Sequence, residues 1–157
     1  MGLHFRRFII FAAFSIATGC LVGTLGAATA SPLLARGYTV IPEPQKVTLG
    51  GPDFEFTTSW RLELGPGVKA SDIAVGSLKK ELQERFHLAL LEAKGEVGPR
   101  LKLAIAPQAV EVGEATDREK TALGEQAYRM QLRAAEVTIL GNSPTGLLYG
   151  CKRWCSC

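Results

Sequence analysis

Residues 137–150 read Val-Thr-Ile-Leu-Gly-Asn-Ser-Pro-Thr-Gly-Leu-Leu-Tyr-Gly, and the change of pattern inside this stretch decides the fold. Val137 to Leu140 is a short β-branched and apolar run that favours a strand. Gly141-Asn142-Ser143-Pro144-Thr145-Gly146 then interrupts it. Ser143 can cap a helix, and Pro144 can occupy the first turn, where its missing N–H removes no hydrogen bond. Leu147, Leu148 and Tyr149 are read as the opening of a final helix that is cut off almost at once. A strand handing over directly to a capped helix puts both kinds of element into one small core.

Working backwards, Tyr128, Met130 and Leu132 alternate with Arg129, Gln131 and Arg133 ahead of an Ala134-Ala135-Glu136 turn. Antiparallel pairing of this run with Val137 to Leu140 is the simplest arrangement. Arg100 to Ala106 alternates too, with Leu101, Leu103 and Ile105 on one face. So does Trp60-Arg61-Leu62-Glu63-Leu64, which Gly65-Pro66-Gly67 ends. Gln45 to Leu49, the turn Gly50-Gly51-Pro52-Asp53 and Phe54 to Thr57 make a hairpin candidate.

Ser71 reads as the N-cap of a helix running from about residue 71 to 91, with Asp72 beside the positive end of its dipole. Ala74, Leu78, Leu82 and Phe86 recur every four residues with Val75 and Leu90 alongside, and Lys79, Lys80, Glu84 and Arg85 take the other side. Residues 107–124 read as a long loop. The expected fold class is α+β, an α/β sandwich in which a small, mostly antiparallel or mixed sheet carries two packed helices. Its core is expected to bury Leu78, Leu82, Leu101, Leu103, Tyr128, Leu132, Val137 and Ile139 together.

A chain of 157 residues that is 46% apolar can bury one core of ordinary size. Residues 1–30 stand outside it. Arg6 and Arg7 precede an apolar run from Phe8, and Ala28-Thr29-Ala30 before Ser31 has the form that a signal peptidase cuts. The chain is therefore expected to be secreted or periplasmic, with residues 31–39 a linker and 40–150 the folded domain. Two rivals place it at a membrane: Ile16 to Cys20 is tolerable as a lipoprotein signal anchored through Cys20, and Phe8 to Ala30 is long enough to span a bilayer if uncleaved. The signal holds two of the 18 Lys and Arg and none of the 15 Asp and Glu, so one positive charge remains on the mature chain. With so small a charge, and basic residues spread along the sequence, nucleic acid is not an expected partner.

Catalytic groups are sparse. His87 is the one histidine beyond the signal, so a Ser-His-Asp arrangement would hang on it alone, and it falls near the exposed edge of a helix. Asp53 with Glu55 flank a turn, and Glu111 with Glu114 sit in a polar loop. Neither setting would raise a carboxyl pKa by burial, and both pairs read as solvated. No catalytic, cofactor-binding or metal-binding residue is assigned, and no cofactor is expected.

Three motifs in order carry a resemblance. Val40-Ile41-Pro42-Glu43-Pro44-Gln45-Lys46-Val47, Gln126-Ala127-Tyr128-Arg129-Met130, and Val137-Thr138-Ile139 leading to Gly146-Leu147-Leu148-Tyr149-Gly150 are similar to the N-terminal domain of family 20 glycoside hydrolases, the bacterial-type β-N-acetylhexosaminidases. The resemblance covers about residues 38 to 150. It implies a non-catalytic α/β domain that precedes a (β/α)8 barrel. In the barrel an adjacent Asp-Glu pair serves a substrate-assisted hydrolysis of terminal N-acetylhexosamine residues. No residue of this chain inherits those roles, so the fragment is expected to be inactive, its partner being the barrel of the intact enzyme. The competing class is a stand-alone secreted or lipid-anchored glycan-binding module. That reading needs an exposed aromatic platform, whereas Trp60 adjoins a strand expected to bury it.

The last seven residues, Cys151-Lys152-Arg153-Trp154-Cys155-Ser156-Cys157, hold three of the chain's four cysteines. As a zinc site they supply only three ligands at an unfamiliar spacing, with no histidine beside them. The resemblance implies another account. In the family, Gly-Leu-Leu-Tyr-Gly is followed by something like Val-Gln-Thr-Leu-x-Gln-Leu. Back-translated with suitable codons and shifted by one base, the tail becomes Val-Gln-Thr-Leu-Val-Gln-Leu. The expectation is that one base has been lost near the Gly150 codon and that 151–157 is a frameshift tail without selected chemistry.

Overall fold

The computed structural model describes residues 32–36, 44–51, 54–93, 97–113 and 116–155. The expected signal and residues 31 and 37–39 of the expected linker lie outside them. A single-turn helix α1 (Pro32–Ala35) precedes a sheet of five strands, β1 (Arg61–Leu64), β2 (Leu91–Glu92), β3 (Arg100–Ile105), β4 (Tyr128–Arg133) and β5 (Glu136–Gly141). Three further helices, α2 (Ile73–Phe86), α3 (Asp117–Gln126) and α4 (Pro144–Trp154), complete the fold. No helix among the described residues is long and apolar enough to cross a membrane.

The strand order is β2-β1-β3-β5-β4. β1 pairs in parallel with β2 and β3, β3 pairs in parallel with β5, and β4 closes the edge antiparallel to β5. The sheet is thus mixed. Parallel neighbours need a crossover, and α2 supplies it between β1 and β2. Strand alternation sends Leu62, Leu101, Leu103, Val137 and Ile139 to one face, each at 1% exposure or less. Val75, Leu78 and Leu82 of α2 and Leu147 of α4 close over them.

α4 comes closest to the sheet. Ser143 caps it, its Oγ accepting from the N–H of Thr145 at 3.0 Å and of Gly146 at 3.2 Å, with Pro144 in the first turn. The same hydroxyl donates to the Glu125 carbonyl at 2.6 Å, which ties the helix start to the end of α3. The missing side chains of two glycines then let the backbone in. A Cβ on Gly146 would collide with the Ala127 carbonyl oxygen, and one on Gly150 would stand 2.6 Å from Ile139 Cγ2 and 3.2 Å from the Tyr128 ring.

Several expectations change. α4 does not stop after Tyr149 but runs to Trp154, and Cys151 and Cys155 enter the core at 1% and 2% exposure. The reason is spacing: both lie one turn apart on the side that Leu147 already commits to the sheet. Leu132 is 50% exposed and Tyr128 half-buried, because β4 is the edge strand and α4 covers only its Tyr128 end. Residues 44–51 and 54–57 form no strands. Instead the Phe54 and Phe56 rings pack on Trp60 at 5.2 and 4.9 Å, so their alternation marks one-sided burial without a ladder. Pro52 and Asp53 of the expected turn lie outside the described residues.

α2 begins at Ile73 with Asp72, not Ser71, at the N-cap. It ends at Phe86, five residues short of expectation, because His87 adopts a left-handed conformation (φ 56°, ψ 30°). The His87 N–H bonds to the Gln83 carbonyl and that of Leu88 to Leu82, a closed C-terminal turn that frees Leu90 to pack in the core. The expected loop 107–124 contains most of α3. Its sequence, Asp-Arg-Glu-Lys-Thr-Ala-Leu-Gly-Glu-Gln, has good helix formers but no apolar stripe, so periodicity could not reveal it.

Leu82 is 2% exposed in the middle of the α2 core face. Truncation of Leu82 to Ala is expected to cost about 2 to 5 kcal/mol in a denaturant titration. A loss under about half a kcal/mol would show that the α2–sheet contact contributes little.

Candidate functional site

Of the titratable residues weighed as catalytic groups in the sequence, the described ones are exposed. His87 is exposed at the C-terminal cap of α2. Glu55 and Glu111 are exposed, while Asp53 and Glu114, their sequence partners, lie outside the described residues. No group of three His, Cys, Asp or Glu side chains among the described residues is placed to hold a metal ion.

Among the described residues, Glu63 is the carboxylate whose ionisation is clearly shifted, and the sequence did not single it out. It projects from β1 on the side of the sheet away from the helices, between Arg100 Nη1 at 3.0 Å and Lys102 Nζ at 3.2 Å, both from β3. The hydrogen bonds from Arg100 and then from Lys102 hold its carboxyl below the usual range, outweighing its slight desolvation. An acid held ionised in this way cannot donate a proton near neutral pH. Glu63 is a cross-strand tie. Alternation along β1 and β3 places these three side chains on one face, but only the register, which sets Glu63 opposite Lys102, brings them together.

Cys151 is the other perturbed group among the described residues. Burial, then the neighbouring Cys155 and Glu81, push its thiol up to about 12. A thiol that far above neutrality gives almost no thiolate, so Cys151 packs as a small apolar side chain and is no nucleophile. The end of α4 is secured around it. Arg85 of α2 donates from Nη1 to the Cys155 carbonyl at 2.6 Å, and Trp154 lies against Phe54 and Phe56 with centroids at 6.4 and 5.4 Å. Trp60, the ring most suited to a sugar platform, is 2% exposed with its Nε1–H bonded to the Glu55 carbonyl at 3.1 Å.

A cleft of about 320 Å³ opens where the first turns of α2 and α4 face the end of β3. Ile73, Ile105, Pro144 and Leu148 give it apolar walls, and Asp72 at its rim already accepts the Lys69 N–H at 2.8 Å. Such a cleft can seat an apolar side chain. It lacks a paired acid and base for bond cleavage.

Comparison with known proteins follows the fold. Residues 37–152 match the family model described as glycosyl hydrolase family 20, domain 2. Among solved structures the chain is similar to an inactive mutant of the GH20 exo β-N-acetylglucosaminidase of Vibrio harveyi, at 15% identity and a TM-score of 0.53 over 74% of this chain. It is also similar to the Flavobacterium johnsoniae chitobiase, at 14% identity and a TM-score of 0.47 over 72%. The chain spans only 15% and 17% of the length of those two proteins. A search of curated proteins by sequence finds no match.

The Glu63 triad sets a pH dependence. Because the folded pKa lies below the ordinary glutamate value of 4.5, the stabilisation is present above that value and fades as pH falls through the folded pKa. Glu63→Gln should therefore lower stability at pH 7, by under about 1 kcal/mol for so accessible a tie, and leave it nearly unchanged at pH 2. Equal loss at both pH values in urea titrations would mean that packing, not charge, is what the substitution disturbs.

Proposed function

This chain belongs to glycosyl hydrolase family 20 as a domain 2 segment, and from that premise we propose that it is the accessory domain of a secreted or periplasmic β-N-acetylhexosaminidase, without hydrolytic activity of its own. The observation that carries the proposal is the extent of the family match, which takes in all five strands together with α2 and α3 and runs into α4. The site chemistry supports it. Glu63 is locked between two cations, Cys151 is buried, and His87 stands by itself at a helix end. Hydrolysis of the terminal N-acetylhexosamine is assigned to a catalytic domain of the same enzyme, to which this two-layer unit is the neighbour.

The shifted-frame reading of residues 151–157 belongs to the same proposal. The restored frame would put apolar residues at positions 151, 154 and 155, where Cys151 and Cys155 are buried and Trp154 is half-buried, so α4 would keep its inward face. Downstream DNA that fails, in that frame, to encode a barrel with an adjacent Asp-Glu pair would remove this part of the proposal.

Export and purification of the chain test the rest. The product is expected to begin at Ser31 on N-terminal sequencing and to leave a chromogenic N-acetylglucosaminide uncleaved above the uncatalysed rate at any pH. Turnover that persists through purification would contradict the accessory role, and a lipid on Cys20 would move the protein from solution to a membrane surface.

A further inference from the structure

Five basic residues dispersed over more than seventy positions of the sequence meet on one surface. The alternation that buries Leu62, Leu101, Leu103, Val137 and Ile139 turns their strand neighbours to the opposite side of the sheet, which no helix covers among the described residues. The register sets Arg61 beside Arg100, Arg100 beside Glu136 and Glu136 beside Arg133, a row across β1, β3, β5 and β4. Lys102 lies in the next row beside Glu63, and Arg129 lies further along β4, opposite Leu140. Among the described residues, five cations against two carboxylates leave this face with three positive charges, more than the single positive charge expected on the mature chain. Composition alone hides this, since the rest of the mature chain is left with two negative charges on balance, +1 minus +3.

The surface is wide. Strands stand about 4.8 Å apart, so the row from Arg61 to Arg133 spans about 14 Å, and Arg129 lies about 13 Å along β4 from Arg133. A guanidinium presents a planar fork that matches a carboxylate in two hydrogen bonds. Cations spread across four strands suit an extended polymer bearing regularly spaced negative charges. A uronate polysaccharide carries one carboxylate per sugar, a spacing of the same order as that between strands. We propose that the helix-free face of the sheet binds an anionic, carboxylate-bearing polysaccharide and holds the enzyme against a charged glycan matrix. The choice of a glycan over other polyanions rests on the accessory role proposed above; the charge clustering does not.

Binding of polygalacturonate to the exported chain, followed by titration at low salt, tests the proposal, with neutral dextran and duplex DNA as comparison ligands. Arg129→Glu with Arg133→Glu changes two exposed side chains on this face. Lys80→Glu with Arg118→Glu makes the same change in net charge on α2 and α3, also at exposed positions. Binding to polygalacturonate and not to dextran is expected, with a loss of at least about tenfold in the sheet-face variant and under about threefold in the helix variant, and weakening with added salt. Absence of binding, equal weakening in the two variants, or tighter binding to DNA than to polygalacturonate would overturn it. Hydrolysis does not enter this readout, so a negative result leaves the accessory role standing, and turnover by the chain alone would strike that role without touching the binding face.

Discussion

The fold depends on how closely α4 approaches the β4–β5 hairpin. At Gly146 the helix backbone rests on the Ala127 carbonyl, and at Gly150 it rests on Ile139 and the Tyr128 ring, with no room for a Cβ at either point. Glycine inside a helix costs about 1 kcal/mol relative to alanine. Here that cost is offset because close approach drives Leu147 and Cys151 to full burial on the sheet and sets α4 beside α2. The polar groups at the junction are satisfied at the same time. The Asn142 side chain accepts from the Val110 N–H and donates to the Val110 and Gly124 carbonyls, all within 2.9 Å, while Ser143 caps α4 and holds Glu125. One turn between strand and helix thus fixes the loop after β3, the end of α3 and the start of α4.

That turn was also the most legible part of the sequence. Ser143 and Pro144 identify a helix start by mechanism, and the alternation of Leu62, Leu101, Leu103, Val137 and Ile139 identifies core-facing strand positions, because each pattern reports a local backbone choice. What depends on partners was not legible. Periodicity says that β3 alternates, but not that it lies parallel to β5, nor that β4 sits at the edge with Leu132 half exposed. α3 has no apolar stripe to advertise it, and β2 is two residues long. The end of α2 turned on a left-handed His87, where glycine is the usual signal.

The chemistry of the surface followed the same division. Glu55 and Glu111, read as solvated from their polar surroundings, are exposed. Glu63 drew no notice in the sequence, because its two cations stand 37 and 39 positions away and only strand register delivers them. Register likewise gathers Arg61, Arg100, Arg129 and Arg133 on one side. The molecule therefore divides its labour by layer: a helix layer that closes the core, and an open sheet face that gathers positive charge.

The close approach of α4 is tested most directly by two matched substitutions of glycine by alanine within helices. At Gly76 in α2 a Cβ would find nothing within 4 Å, whereas at Gly146 in α4 it would meet the Ala127 carbonyl. Guanidinium titrations should show Gly76→Ala more stable than the parent by about 0.5 to 1 kcal/mol, from helix propensity alone. Gly146→Ala should be less stable by about 1 to 3 kcal/mol or more, as expected of overpacking. Stabilisation of similar size in both variants would contradict the account, since it would mean that α4 does not rest on the hairpin.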